Sequence, residues 1–140
     1  MDYESYRDKF FTKPAPEQNY KFQGLHGTTL YFEDYEAAVT FYSRVLGEPA
    51  YVEGTGTRGW QLGDTWLTLL RGKSGNPQNM ELNIIMQTPG EADRLHAAFK
   101  DAGGIGEAAS DELMYEPVRY CSVRDPFGTN ILIICPLKQE

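Results

Sequence analysis

Apolar and polar residues alternate along GLHGTTLYFED (24–34), placing Leu30 and Phe32 on one face and Thr29 and Tyr31 on the other, as in a half-buried strand. The period then lengthens. In DYEAAVTFYSRVLG (34–47), Ala38, Phe41, Tyr42, Val45 and Leu46 recur at helical spacing as one apolar stripe. Asp34 is expected to cap the start of this helix and Gly47 to allow a left-handed exit. Three strand-like segments follow, PAYVEG (49–54), TRGWQL (57–62) and TWLTLLRG (65–72), the last two joined through Gly63 and Asp64 as a tight hairpin. RGKSGNPQN (71–79) has the composition of a loop.

Beyond that loop the order repeats. MELNIIMQT (80–88) predicts a strand, and PGEADRLHAAFKDAGG (89–104) predicts a helix that starts at Pro89 and Glu91, packs through Leu95 and Phe99, and closes at Gly103. Three more strands are expected: a short one near Ile105, then PVRYCSV (117–123) and NILIICPL (130–137), the last two joined by a turn built from Asp125, Pro126 and Gly128. The chain is therefore a doubled unit with a period of roughly 55 residues. Neither unit alone buries both its helix stripe and its sheet. The fold class implied is α+β, with two tandem βαβββ modules forming a curved mixed sheet, helices on its convex face and a cavity on its concave face. Module one covers residues 24–72, a linker 73–79 and module two 80–137, together one domain (24–137). Residues 1–23 precede it as an arm. There YESYRDKFF is helix-capable and KPAPEQ stiff, because Pro14 and Pro16 exclude helix and ladder alike. Phe10, Phe11 and Phe22 are its expected docking residues.

With 140 residues, 41% of them hydrophobic, there is material for one sizeable core, and two independent domains would be cramped. A formal net charge of −7 and no Lys/Arg cluster argue against a nucleic-acid partner. No apolar run approaches the roughly 20 residues that cross a bilayer. The start, MDYESYRDKFF, is acidic where a secretory signal would be basic and then apolar, so a cytoplasmic setting is expected. Cys121 and Cys135 both lie in apolar strand segments, off register across the Asp125–Gly128 turn, and read as free buried thiols rather than a disulfide.

LHGTTLYFEDYEAAVTFYSRVLG resembles the first strand and helix of the vicinal oxygen chelate superfamily, which includes glyoxalase I, extradiol dioxygenases and bleomycin-resistance proteins. VRDPFGTNILIICPL resembles the closing hairpin of the same superfamily, and the likeness spans Gly24 to Leu137. In metal-using members, four inward-facing positions supply His, Glu or Gln ligands. Carried over by spacing from Asp34, from the Leu67–Leu69 triplet, from the second module's first strand and from Asp125, those positions are Gly27, Thr68, Glu81 and Leu132. One usable ligand of four cannot hold Zn²⁺, Ni²⁺, Fe²⁺ or Mn²⁺. Neither a metal nor any other cofactor is therefore expected. His26 lies one residue from the ligand register and so points to the opposite face unless a bulge intervenes; its bland reading is a strand-start residue touching the arm. His96 reads as a half-exposed helix residue.

Alternation directs Thr29, Tyr31, Gln61, Trp66, Thr68, Glu81, Asn83, Ile85, Leu132 and Ile134 into the cavity. Tyr120, with Arg119 and Arg124 flanking it along its strand, is a candidate rim residue whose facing the sequence leaves open. Such a lining suits a small-molecule site that recognises shape. Trp66 either stacks on a ligand or fills the core of the curved sheet. Glu81, if buried, is a candidate general base or counter-ion, and if wet a plain solvated carboxylate. The stretch ASDELMYEPVR (109–119) reads as a long loop, either a lid or a subunit contact. Three functions follow from different classes. The first is a metal-free protein that binds or sequesters a small apolar or aromatic, or cationic, compound. The second is a metal-dependent lyase, isomerase or dioxygenase of the glyoxalase type using His26 and Glu81, and the third a metal-free enzyme with Glu81 as base. A homodimer is the expected assembly.

Overall fold

The computed structural model describes residues 1–137. A short helix, α1 (Tyr3–Phe10), precedes the two modules. Module one consists of β1 (Gly27–Phe32), α2 (Tyr35–Leu46), β2 (Tyr51–Glu53), β3 (Thr57–Leu62) and β4 (Thr65–Arg71). Module two consists of β5 (Glu81–Ile85), α3 (Pro89–Asp101), β6 (Ser110–Leu113), β7 (Pro117–Arg124) and β8 (Asn130–Pro136). Each module folds into a four-stranded mixed sheet, ordered β1-β4-β3-β2 in the first and β5-β8-β7-β6 in the second. The first and last strands of each module run parallel, and the remaining pairs are antiparallel. Gly27 lies opposite Trp66 and Glu81 opposite Asn130, so both modules use the same register. The β3–β4 hairpin turns at Gly63, whose φ of 62° is the left-handed conformation that such a two-residue turn demands.

Both modules share one core. Leu30 and Phe32 of β1, Leu67 and Leu69 of β4, Leu82 and Ile84 of β5, and Ile131 and Ile133 of β8 are buried against the helices. The helices meet through Phe41 and Phe99, with ring centroids 6.0 Å apart, and Phe127 of the β7–β8 turn packs on Phe32 at 5.5 Å. Aromatic contacts thus fuse two half-cores that would each be too small alone. One polar group is buried at the junction. Asp125 accepts from the backbone N–H groups of Phe127 (2.9 Å) and Thr129 (2.8 Å), which shapes the turn, and from the Tyr42 hydroxyl of α2 (2.8 Å), which ties module two to module one. Every burial cost of that carboxylate is met by a donor.

Several local expectations need correction. Asp34 does not cap α2: its side chain accepts from the Asn76 amide at 3.2 Å, which fastens the linker instead. The second module's helix does carry a side-chain cap, from Thr88 to the N–H of Glu91. The expected strand near Ile105 is a single bridge to Arg124, and the strand that completes the sheet is β6, inside the stretch read as a long loop. That stretch is a hairpin whose turn covers only residues 114–116. His96 is 4% exposed, with Nε2 2.8 Å from the Ser122 carbonyl, because α3 lays it under the bare backbone of Gly106. Of the three arm phenylalanines, Phe11 alone reaches the domain, edge-on to Tyr115; Phe10 and Phe22 are exposed and lean on Tyr6 and Tyr20 of the arm itself. The Tyr3 hydroxyl adds a bond of 2.6 Å to the Tyr115 carbonyl. Cys121 and Cys135 are free and buried, and burial pushes both thiols up from their ordinary range. Among the described residues no helix is long and apolar enough to cross a membrane.

Candidate functional site

Strand alternation sends one set of residues to the helices and leaves the other on the open face. Since Leu30, Phe32, Leu67, Leu69, Leu82 and Ile84 are buried in the core, their alternates Thr29, Tyr31, Trp66, Thr68, Glu81, Asn83 and Ile85 stand on the face away from the helices. Gln61, opposite Trp66, shares that face, as do Leu132 and Ile134 of β8. Tyr120 joins them, because it pairs with Ile134 while Cys121 and Val123 are buried towards α3. Arg119 takes the other direction, bridging Asp93 of α3 (3.0 Å) and Asp111 of β6 (3.1 Å), and its hydrogen bond holds the Asp93 carboxyl below its usual range.

The open face is not a single cavity. One hollow of about 400 Å³ belongs to module one and is lined by His26, Gly27, Thr28, Thr29, Tyr51, Gly59, Trp66 and Thr68. Another of about 460 Å³ belongs to module two, where Glu81, Glu107, Tyr120, Ser122, Arg124 and Asn130 make a more polar wall. Asn83 and Ile85 line a narrow gap of about 150 Å³ where β5 passes the starts of β1 and β4. Gln61 sits on grooves at the outer end of the sheet, beside Asp64 on one side and Leu62 on the other. Tyr31, Leu132 and Ile134 line none of these hollows; Tyr31 is 56% exposed, whereas Leu132 is 2% exposed. Only Thr29, Trp66 and Thr68 of the sequence-nominated residues therefore meet in the module-one hollow, and only Glu81 and Tyr120 in the other.

Three lining residues escaped the sequence reading: Thr28, Tyr51 and Gly59; His26, expected on the opposite face against the arm, lines this hollow instead. Tyr51 lies on a strand of only three residues, too short to show a period. Its place follows from pairing. Tyr51, Gly59, Thr68 and Thr29 form one row across β2, β3, β4 and β1. Gly59 is the bare position in that row, where even a methyl group would stand 3.2 Å from Tyr51 Cβ and 3.4 Å from Trp66 Cε3. No side chain from Gly59 intrudes beside the Tyr51 and Trp66 rings, whose centroids are 6.5 Å apart at an interplanar angle of 74°. Trp66 is half-buried and faces the hollow. The tryptophan that fills the core is Trp60, whose indole N–H donates to the Gly47 carbonyl at 2.8 Å. The Tyr51 hydroxyl donates to Glu53 at 2.8 Å, and that bond, with the charge behind it, pushes the phenol up from its ordinary range.

A metal ion does not fit the positions where the superfamily resemblance would put ligands. Gly27 offers no donor, and a Cβ built there would lie 2.1 Å from the Trp66 carbonyl oxygen, so the strand pairing itself forbids a side chain. Thr68 contributes a hydroxyl, Glu81 an exposed carboxylate and Leu132 buried hydrocarbon. Among the described residues, no three of His, Cys, Asp and Glu come together closely enough to hold an ion.

Comparison with known proteins identifies the fold. A glyoxalase/bleomycin resistance protein from Albidiferax ferrireducens superposes with a TM-score of 0.66 at 18% identity, covering 81% of this chain and 98% of the other. Lactoylglutathione lyase from Agrobacterium tumefaciens gives 0.64 at 17% identity, covering 82% and 95%. A glyoxalase/bleomycin resistance protein/dioxygenase family enzyme from Burkholderia phytofirmans gives 0.62 at 19%, covering 80% and 98%. No protein-family model matches the sequence, and no curated protein matches it either. The chain has the fold of the glyoxalase, bleomycin-resistance and dioxygenase proteins, the vicinal oxygen chelate fold. At these identities the likeness extends to architecture, and the chemistry must come from the residues themselves.

Proposed function

We propose that this protein binds a small organic molecule in the module-one hollow by stacking and enclosure, without a metal ion. The observation that carries this reading is the pairing of Gly27 with Trp66: the position that would begin a chelating site has no space for a side chain, while Trp66 beside it presents a ring to an open hollow. A lining of two aromatic rings, three threonines and one histidine suits a ligand with a flat or apolar body and few polar groups. The glyoxalase-type metal enzyme gains support from one neighbour's name, lactoylglutathione lyase, but at two of the four positions where the superfamily resemblance implies ligands this chain has Gly27 and Leu132, which supply no donor. A proton-transfer role for Glu81 lacks its physical premise, because Glu81 is exposed rather than enclosed by apolar neighbours. A cytoplasmic setting and a homodimer complete the proposal. Tyr31 and Ile85, exposed by 56% and 65% on the open face, are the apolar area a second copy would cover.

The test is a fragment screen by ligand-observed NMR, followed by titration of the hits into wild-type protein and Trp66→Ala. The expected result is that hits lose at least about tenfold in affinity on truncation, consistent with an aromatic contact at the centre of a site, while the chemical shifts of core residues stay unchanged. Hits indifferent to Trp66→Ala would move the site elsewhere.

A further inference from the structure

We propose that the corner between the Tyr51 and Trp66 rings receives a methylated ammonium group of the ligand; this rests on the small-molecule reading above and names the ligand's chemical class. An aromatic face is electron-rich, and a cation within roughly 6 Å of a ring centroid is attracted to it. Two rings at 74° with centroids 6.5 Å apart both line the hollow within reach of one compact cation, and Gly59 puts no side chain between them. A quaternary or methylated ammonium suits this corner better than a lysine-like amine, because it spreads its charge over methyl groups that also fill apolar space.

The local charge agrees with the rings. Glu53 stands on the same face as Tyr51, two residues along β2, and accepts the phenol hydrogen bond, so its negative charge borders the corner and enriches the tyrosine ring. None of the residues lining the hollow is Lys or Arg. Arg58, next to Gly59 in β3, points away from this face and is engaged by the Gly54 and Thr57 carbonyls, each at 2.8 Å. Arg71 is likewise drawn to the helix side, over the Tyr35 ring and against Glu36. The formal net charge of −7 adds a long-range pull on any cation.

Choline and its neutral isostere 3,3-dimethyl-1-butanol have nearly the same shape and differ in charge. Each is titrated into the full chain while the Trp66 indole N–H resonance is followed, with the Trp60 resonance, locked on Gly47 in the core, as internal control for folding. The structure predicts that choline shifts Trp66 and binds about three- to tenfold more tightly than the alcohol. Glu53→Gln narrows that ratio without weakening the alcohol, and Gly59→Ala, which fills the corner, weakens both. Equal affinities overturn the ammonium assignment and leave a neutral small-molecule site standing. Failure of both compounds to shift Trp66 also overturns it, and the fragment screen then shows whether the wider reading falls as well.

Discussion

Asp125→Ala removes about 3 kcal/mol or more from a domain of this size, whose total stability is of the order of 5–15 kcal/mol, and so takes away a large fraction of the whole. Three donors lose their acceptor at once: two backbone N–H groups in the β7–β8 turn and the Tyr42 hydroxyl in the core. Urea unfolding of the wild type and the variant measures the difference. Tyr42→Phe costs less, about 1–3 kcal/mol, because the turn retains its two backbone bonds. The same pair predicts a response to alkali. Burial, and after it the charge of Asp125 and the hydrogen bond to it, push the Tyr42 phenol far above its ordinary range. A folded-state value above the unfolded one means that the stabilisation is complete below the unfolded tyrosine's pKa of about 10 and is lost as the pH rises past it. Unfolding midpoints should therefore fall steeply above about pH 10 in the wild type and less steeply in Tyr42→Phe. Equal slopes would mean that Tyr42 is not the group being strained.

The second large effect is expected at Gly27. Gly27→Ala destabilises by about 1–3 kcal/mol, the usual cost of forcing a group into a packed site, since a Cβ there lies 2.1 Å from the Trp66 carbonyl oxygen and the β1–β4 pairing has to open. Gly27→His carries at least the same penalty and gains no ion, because Thr68 and Leu132 complete no coordination sphere with it. Differential scanning calorimetry with and without added Ni²⁺ or Mn²⁺ reads both consequences. A variant as stable as the wild type, or one rescued by metal, would show that the strand start yields more easily than its pairing implies.

Much of the fold was legible because its periods are clean. β1 alternates, α2 keeps one apolar stripe, and the Asp125–Gly128 turn announces β8, so the doubled order of elements stood in the letters. What was not legible depends on partners distant in the chain. Asp34 has the chemistry of a cap, yet Asn76, 42 residues away, takes it. His96 is polar by composition and buried by packing, because Gly106 lets α3 approach β7 closely. Ser110–Leu113 carries two acidic residues and no apolar alternation, so nothing local marks it as an edge strand; its pairing with β7 makes it one.

The candidate site divides along the same line. Facing follows from alternation for Thr29, Trp66, Thr68 and Glu81, which all stand on the open side, whereas that of Tyr120 came only with its pairing to Ile134. Which of them share a hollow depends on how two sheets curve, and on Tyr51, whose strand is too short to announce itself. The burial of Leu132 and the exposure of Glu81, on neighbouring strands of one face, are likewise products of tertiary packing that no spacing encodes.

The most direct measurement is a calorimetric titration of Zn²⁺, Ni²⁺ and Mn²⁺ into chelator-treated protein, with Glu81→Gln alongside. A hollow built on a side-chain-free strand start takes up no ion stoichiometrically, and the two proteins give the same flat trace. One equivalent of metal bound per chain by the wild type and lost in Glu81→Gln would contradict the account at its root.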